Sequence, residues 1–298
     1  MGVVFMIQYK TIAVVGGDLR QAHIANRLAE QGNRVYALLL ENNATLRPEL
    51  SCPDDPAEVL PECDVVIFPL PLTTDEATVN APFSQKRVFV KECFDCIRPG
   101  AAVFAGKVSP AMQELAAKKE MALADYLKRE ELAVKNAVIT AEGAIAIAME
   151  EMPTALFGSK CLITGHGRIS RALMRVLNAM GAQVTVAARK YGDLAWIEAE
   201  GCHAIHIASL AEHVGRADLV FNTVPACVLG REILSKLRKD ALIIDLASKP
   251  GGVEFDTARE LGIKTVWALS LPGKCAPISA GDIILETIGN CLAEQGVL

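Results

Sequence analysis

The stretch CLITGHGRISRALMRVLNAMGAQVTVAARK, residues 161–190, decides the fold of this protein. It starts as an apolar strand, breaks at two glycines, continues as an amphipathic helix and returns to an apolar strand. Gly165, Gly167 and Ser170 read G-x-G-x-x-S. The first glycine permits a tight turn, the second lets a pyrophosphate approach the helix N-terminus, and serine is small enough to keep helix and strand close. The stretch therefore predicts a dinucleotide-binding strand, turn and helix.

The end of the second strand indicates which dinucleotide binds. NAD enzymes usually carry Asp or Glu there, and this acid accepts hydrogen bonds from the ribose hydroxyls. This protein has Ala188 in that position, followed by Arg189 and Lys190. Because two cations attract a 2′-phosphate that an acid would repel, we predict NADP as the cofactor. The expected cofactor contacts are Gly165, His166, Gly167, Arg168, Ile169, Arg189, Lys190, Thr223, Val224, Pro225, Leu246 and Ala247.

Strand and helix patterns alternate on both sides of this stretch. The predicted strands are residues 12–15, 35–40, 64–72 and 101–106 before it, and residues 204–207, 219–222, 242–246 and 265–269 after it. Short apolar strands that alternate with helices are typical of parallel sheets covered on both faces. We therefore predict an α/β protein with two doubly wound parallel-sheet domains, the second a Rossmann dinucleotide-binding domain, joined by long helices.

With 298 residues, the protein is long enough for two domains. The segment 136–152 forms a helix that is apolar on nearly every side, so we expect it to be buried between them. The predicted divisions are 1–135 for an N-terminal α/β substrate or partner domain, 136–152 for the interdomain helix, 153–278 for the Rossmann NADP-binding domain, and 279–298 for a helix that packs back on the first domain.

Composition argues against several classes of protein. The formal charge is -5 and no basic cluster is visible, which argues against binding of nucleic acid or anionic lipid. The apolar segment 1–10 is too short to span a membrane and has neither a basic leading segment nor a cleavage site. We therefore expect a cytoplasmic protein without membrane contact.

Cysteines and histidines do not predict a metal site. The nine cysteines are scattered through apolar runs and turns, as reduced, mostly buried thiols are. Cys93 and Cys96 form one C-x-x-C pair without a second pair or a well-spaced histidine, so we interpret them as part of an ordinary helix or loop. His203 and His206 are three residues apart on or beside a strand, where their side chains point to opposite faces.

Loops at the carboxyl edge of each sheet carry the candidate catalytic residues, because open α/β sheets bind ligands there. Ser248 and Lys249 are candidates to hold a substrate carboxylate, although Lys249 also fits a solvated loop lysine. Arg20, at the end of the first strand, is a further candidate that we expect to face an interdomain crevice. Glu142, at the start of the interdomain helix, is a candidate proton acceptor, although an acid at a helix start also interacts favourably with the helix dipole.

Six motifs carry a family resemblance. They read GGDLRQ, NAVITAEGAIAIAMEE, GHGRIS, NTVPA, DLASKPGG and LPGKCAP. In this order and spacing they resemble the dipicolinate synthase A-subunit family of spore-forming bacteria, over nearly the whole sequence. Two positions depart from the family pattern, since Lys249 stands where we expect Arg and Lys274 is less apolar than expected. The two-domain plan also resembles D-2-hydroxyacid dehydrogenases, but no histidine follows His213 to act as their general base.

The resemblance implies a function and a partner. The function is NADP-dependent oxidation of a dihydrodipicolinate-type cyclic dicarboxylate to dipicolinate, in the cytoplasm of the mother cell of a sporulating bacterium. The partner is the flavoprotein-like B-subunit of dipicolinate synthase, and we expect an oligomer. Two alternatives stay open: an NADP-dependent reductase of another small keto acid or cyclic imine, and a regulatory subunit that binds NADP structurally.

The cofactor prediction is testable by Arg189→Asp. We expect NADP affinity to fall by roughly 10- to 100-fold relative to NAD affinity, because a charge-assisted hydrogen bond is lost and an acid is introduced. Titration of both dinucleotides against the wild-type and variant proteins measures the change. An unchanged preference would refute the prediction.

Overall fold

A computed structural model describes residues 7–296, and its contacts divide the chain into two compact units. Unit 1 takes in the described residues of Met1–Lys135 and Ala276–Leu298, and unit 2 is Asn136–Cys275. Unit 2 is therefore an insertion within the sequence of unit 1. Residues 1–6 and 297–298 lie outside the described residues. The prediction that segment 1–10 does not span a membrane therefore falls partly outside them.

Eleven strands and eleven α-helices form the described part of the chain. The strands are β1 (Thr11–Val15), β2 (Arg34–Leu38), β3 (Val65–Ile67), β4 (Ala102–Ala105), β5 (Leu123–Asp125), β6 (Lys160–Thr164), β7 (Gln183–Ala188), β8 (His203–His206), β9 (Leu219–Asn222), β10 (Leu242–Asp245) and β11 (Lys264–Trp267). The helices are α1 (Leu19–Glu30), α2 (Val90–Cys96), α3 (Pro110–Ala117), α4 (Glu130–Glu151), α5 (Arg168–Ala179), α6 (Tyr191–Ala199), α7 (Leu210–His213), α8 (Arg231–Leu234), α9 (Phe255–Glu260), α10 (Leu271–Cys275) and α11 (Pro277–Glu294).

Each unit is built on one parallel sheet. Unit 1 has the strand order β2-β1-β3-β4-β5, and unit 2 has the order β11-β10-β9-β6-β7-β8. Both are doubly wound orders, and the second is the Rossmann order, in which the order of strand addition reverses between β6 and β9. Thr164 and Asn222 are paired across this switch point, at the carboxyl ends of the two strands. The predicted fold class is confirmed.

The core of unit 1 explains why the C-terminal helix returns to it. Ile284, Ile288 and Leu292 lie on one face of α11 and are completely buried. They pack in one cluster with Ile24 and Leu28 of α1 and with the strand residues beneath. Outside this apolar seam, Arg129 donates two hydrogen bonds of 2.7 Å each to the carboxylate of Glu294.

Helix α4 differs from its prediction in length and in burial. It begins at Glu130 rather than at residue 136, because the polar residues of its first turns hide the start of the helix in the hydropathy pattern. It is not buried all round, since Val134 is 46% exposed and Met149 is 60% exposed. The face that packs carries small residues, among them Ala141, Ala144 and Ala148, which are completely buried.

By length and composition alone, α4 could also cross a membrane. Of its most apolar 18-residue window, 44% is buried inside the protein, where it forms part of the unit 2 core. A core helix of a soluble protein passes the same test of length and composition.

Strand β5 is absent from the sequence prediction. It has only three residues, Leu123–Asp125, and pairs with β4 from Val103 to Ala105. A run this short carries no periodicity of its own. Its place at the edge of the sheet is fixed by pairing with a strand about twenty residues earlier, which only the folded protein provides.

The return of α11 is testable by Ile288→Ala. We expect this change to lower the free energy of unfolding by about 2–4 kcal/mol, because it leaves a cavity in a completely buried seam. Ile278→Ala is the matched control, since Ile278 is on the same helix and 61% exposed. Its expected effect is within about 0.5 kcal/mol. Urea unfolding of both variants checks the pair, and equal losses would contradict the packing of this helix in the core.

Candidate functional site

A cavity of about 290 Å³ lies at the carboxyl edge of the unit 2 sheet, beside the switch point. Its lining includes eight of the twelve predicted cofactor contacts, namely Gly165, His166, Gly167, Arg189, Lys190, Thr223, Val224 and Pro225. The other predicted contacts, Arg168, Ile169, Leu246 and Ala247, are not part of this lining. The sequence did not indicate Asp193, Ile207 and Val228, which complete the cavity together with Ala187 and Ala188.

The glycine turn after β6 has the geometry that a dinucleotide requires. Gly165 has φ +89°, and a side chain there would meet Thr223 Oγ1 at 2.7 Å. Gly167 is different, because a Cβ atom built on it meets nothing within 4 Å. No described side chain caps the N-terminus of α5. This end of the helix, together with the open space at Gly167, fits a pyrophosphate group.

The corresponding turn of unit 1 is filled by its own residues. Asp18 caps α1 and forms a capping box with Gln21. A Cβ atom on Gly16 would meet the backbone oxygen of Asn80 at 2.8 Å, so the loop after β3 closes over this turn. The first turn of α1 therefore has a carboxylate where that of α5 has open space. Of these two described turns, the one in unit 2 is suited to a phosphate group.

The end of β7 presents two cations to the cavity. Arg189 and Lys190 are exposed, and neither side chain forms an ion pair with another residue between 7 and 296. The backbone oxygen of Arg189 lies 3.1 Å from Nε2 of His206, and the ring of His206 stacks on Tyr191 at 5.9 Å between centroids. These contacts fix the backbone of the strand end while the two cationic side chains stay available to an anion.

Asp193 brings an acid into the same cavity. It lies in the first turn of α6, and its Oδ1 atom is 3.5 Å from Nδ1 of His166. The side chain of His166, which we predicted as a cofactor contact, is completely buried. The sequence prediction located the acid of NAD enzymes at the strand end and did not include Asp193. An acid in the first turn of the following helix is the signal that would have found it.

A buried chain of hydrogen bonds connects the ends of three neighbouring strands. Thr164 donates a 2.6 Å hydrogen bond from Oγ1 to Oδ1 of Asn222, whose Nδ2 donates one of 2.7 Å to Oδ1 of Asp245. All three residues are completely buried. Asp245 also accepts hydrogen bonds from the backbone N–H groups of Ala247 and Gly252. These bonds thus fix the loop of residues 246–252, which carries Ser248 and Lys249.

The candidate catalytic residues of unit 2 are accessible. Ser248 and Lys249 are exposed on the loop that Asp245 fixes, and the Ser248 backbone oxygen accepts a hydrogen bond from Gly251. Glu142 is also exposed, but it lies in the middle of α4 rather than at the start of a helix. Interaction with the helix dipole therefore does not explain its presence.

Arg20 lies in unit 1 and is only 8% exposed. Its Nε and Nη2 atoms donate to the carboxylate of Asp18, and Nη2 also donates to the backbone oxygen of Leu70 at 2.7 Å. In the folded protein the Asp18 carboxylate therefore neutralises Arg20, a pairing that the sequence analysis did not predict.

The C-x-x-C pair lies on α2 in unit 1. Burial raises the pKa of the Cys93 thiol to about 12, and burial also raises the pKa of Cys96. A reactive dithiol needs a thiolate that is populated near neutral pH. Both shifts are in the opposite direction, so the pair behaves as part of the core.

Two family models match the sequence. The model of the N-terminal domain of the dipicolinate synthase A-subunit matches residues 11–127. The model of the D-isomer specific 2-hydroxyacid dehydrogenase NAD binding domain matches residues 129–251. The second match contains the glycine turn, the strand end with its two cations and most of the loop after β10. Unit 2 therefore carries a nicotinamide dinucleotide-binding domain.

Relatives match the protein from end to end. The dipicolinate synthase A-subunit of Bacillus subtilis (strain 168) is 33% identical over 287 residues, which is 95% of this chain and 96% of the relative. The crystal structure of that synthase component from Bacillus subtilis has a TM-score of 0.88 at 32% identity and covers 97% of this chain and 98% of that one. The crystal structure of the dipicolinate synthase A-subunit from Bacillus halodurans has a TM-score of 0.89 at 27% identity, with 97% and 99% coverage.

The two glycines give a matched pair of variants. We expect Gly167→Ala to fold normally, because its new methyl group meets no protein atom. The variant should weaken dinucleotide binding by roughly tenfold, or about 1.4 kcal/mol, because that methyl group enters the space left for pyrophosphate. Gly165→Ala should destabilise the protein itself by at least about 1–2 kcal/mol, because of its left-handed backbone. Thermal unfolding and dinucleotide titration separate the two effects. Unchanged binding by Gly167→Ala would count against the turn as the pyrophosphate site.

Proposed function

Because this protein belongs to the dipicolinate synthase A-subunit family, we propose that it oxidises a dihydrodipicolinate-type cyclic dicarboxylate to dipicolinate with NADP. The product is pyridine-2,6-dicarboxylate, and the cellular role is in sporulation. The site of action would be the cytoplasm of the mother cell.

The choice of NADP rests on the charges at the end of β7. Ala188 stands in the position where NAD enzymes carry an acid, and the next two residues are Arg189 and Lys190, both exposed at the cavity and without an ion-pair partner among residues 7–296. A guanidinium and an ammonium group beside the adenosine ribose favour the 2′-phosphate that distinguishes NADP from NAD. This is the observation that carries the proposal.

The proposed reaction balances without another reactant. A dihydropyridine dicarboxylate and NADP⁺ give the pyridine dicarboxylate, NADPH and one proton. When bound, the nicotinamide ring accepts the hydride from a ring carbon of the substrate. Because aromatisation supplies driving force, the protein has chiefly to orient the ring and neutralise two carboxylates. This fits a sequence that has no histidine after His213.

Lys249 is our first candidate for a carboxylate contact, with Ser248 beside it. Both are exposed on a loop whose position is fixed by the buried Asp245 carboxylate. Arg20 ranks after Lys249, because a substrate carboxylate would have to share its guanidinium with Asp18. Glu142 is the candidate acceptor for the proton that leaves the ring, since it is exposed and has no ion-pair partner in the described range 7–296.

The name of the family supplies the partner. An A-subunit implies a B-subunit, and we propose that the partner of this protein is the flavoprotein-like B-subunit of dipicolinate synthase in an oligomeric assembly. Activity of the isolated protein and activity of the assembly are therefore separate arms of the experiment below.

A reductase of a small keto acid is the second candidate. The match to the NAD-binding domain of D-isomer specific 2-hydroxyacid dehydrogenases favours it. Against it stands the absence of a histidine after His213, because a 2-hydroxyacid dehydrogenase needs a general base near the end of that domain. Consumption of NADPH with keto acids, without formation of dipicolinate, would support this candidate.

The test supplies the purified protein, with and without its B-subunit partner, with NADP and freshly generated product of dihydrodipicolinate synthase. We expect NADPH and the ultraviolet absorption of dipicolinate to appear together. Lys249→Met should lower kcat/KM by roughly 10- to 100-fold, because it loses a hydrogen bond to a charged group that is worth about 1.5–3 kcal/mol. Lys249→Arg should retain most activity. Lys239→Met, at an exposed lysine of the same unit, is the matched control. No dipicolinate in either arm would refute the proposal.

A further inference from the structure

His166 is a buried histidine whose ring nitrogens form no hydrogen bond among the described residues. Its side chain is completely buried in the glycine turn, and neither ring nitrogen has a hydrogen-bond partner in the part of the protein that the structure describes. An unsatisfied buried polar group costs free energy unless something compensates for it. The Oδ1 atom of Asp193 is 3.5 Å from Nδ1, which is too long for a good hydrogen bond but close enough for strong attraction to a protonated ring.

Asp193 connects this histidine to the cofactor cavity. The His166 ring nitrogens are themselves covered, whereas the Asp193 side chain is 34% exposed and lines the cavity with Arg189 and Lys190. The nitrogen atoms of the His166 ring are therefore closed to direct hydrogen bonds with a dinucleotide in the cavity, whereas the carboxylate of Asp193 is accessible. His166 can therefore affect a bound dinucleotide by its charge, which opposes that of Asp193.

We propose that Asp193 discriminates between NADP and NAD, and that the protonation state of His166 controls this discrimination. With a neutral His166, the Asp193 carboxylate repels the 2′-phosphate and offsets part of the attraction by Arg189 and Lys190. With a protonated His166, the imidazolium neutralises Asp193 and the two cations act undiminished. His166 is thus a positioning residue that acts through Asp193. The inference rests on the proposed function, because it needs a dinucleotide in this cavity.

The direction of the pH effect follows from the charges. Histidine gains its proton as pH falls through the range near neutrality, whereas arginine and lysine stay protonated there. Acidification therefore makes the cavity more positive and favours NADP, which carries more negative charge than NAD. A further titratable group near this end of the sheet is His206 on β8, which contacts the Arg189 backbone.

The 2′-phosphate also titrates, with a pKa of about 6, and this effect opposes the first. His166→Asn reports the phosphate effect together with any effect of the other histidines, because its own side chain at position 166 is neutral at every pH. The difference between the wild-type and His166→Asn profiles is therefore the contribution of His166. His203→Asn is the matched control, since His203 lies at the opposite, amino end of the sheet on β8.

Asp193→Asn tests the other half of the pair. At about pH 8, where histidine is neutral, the variant should raise the ratio of NADP to NAD affinity by roughly fivefold, because one repelling charge is removed.

The experiment titrates NAD and NADP into the four proteins, the wild type and the three variants, from about pH 6 to about pH 8 and follows binding by fluorescence or calorimetry. The expected result is a wild-type affinity ratio that shifts towards NADP on acidification relative to His166→Asn, with His203→Asn matching the wild type. An unchanged ratio in Asp193→Asn at the higher pH overturns the inference, and so do identical profiles for the wild type and His166→Asn. If His166→Asn fails to fold, Asp193→Asn decides alone, because its position is partly exposed in a helical first turn. If the wild type binds neither dinucleotide, the proposed function fails instead.

Discussion

The buried carboxylate of Asp245 is the constraint on which the functional edge of unit 2 depends. A charged group without solvent must be satisfied by donors, and here the donors are the Asn222 amide and two backbone N–H groups of its own loop. Because Asn222 is held in turn by Thr164, the ends of β6, β9 and β10 are positioned together. The loops that line the cofactor cavity and carry Lys249 start from these three points. The hydrogen bonds that satisfy the buried Asp245 carboxylate therefore also position the loops of the candidate site.

The same edge shows why a glycine turn alone does not make a nucleotide site. Both units place glycines after their first strand, but in unit 1 the capping carboxylate of Asp18 and the backbone of Asn80 fill the space beside the turn. In unit 2 the helix has no side-chain cap among the described residues, and the space at Gly167 is open. The difference lies in what surrounds the turn. In this member of the dipicolinate synthase A-subunit family, the two first turns therefore differ in the space that they leave for a ligand.

Charge at the cavity is more balanced than the strand end suggests. Arg189 and Lys190 face it, but so does Asp193, with His166 behind it. The charge that a dinucleotide meets in this cavity is consequently a sum of opposing contributions rather than that of two cations alone. A change in the charge of the His166 imidazole would alter this balance strongly, because charges in a partly desolvated cavity are weakly screened.

The sequence by itself determined the two doubly wound sheets, the glycine turn and the cationic strand end, because each depends on local periodicity, on glycine conformation or on adjacent residues. It could not determine the three-residue strand β5, the pairing of Arg20 with Asp18, or the polar network from Thr164 to Asp245. The sequence shows one polar residue at the end of each of three apolar strands, but whether these residues bond to one another depends on which strands are neighbours. Likewise Asp193 meets His166 only because α6 turns back towards β6, a contact between residues 27 positions apart. Contacts between distant residues are decided by the packing of whole elements, which no local pattern encodes.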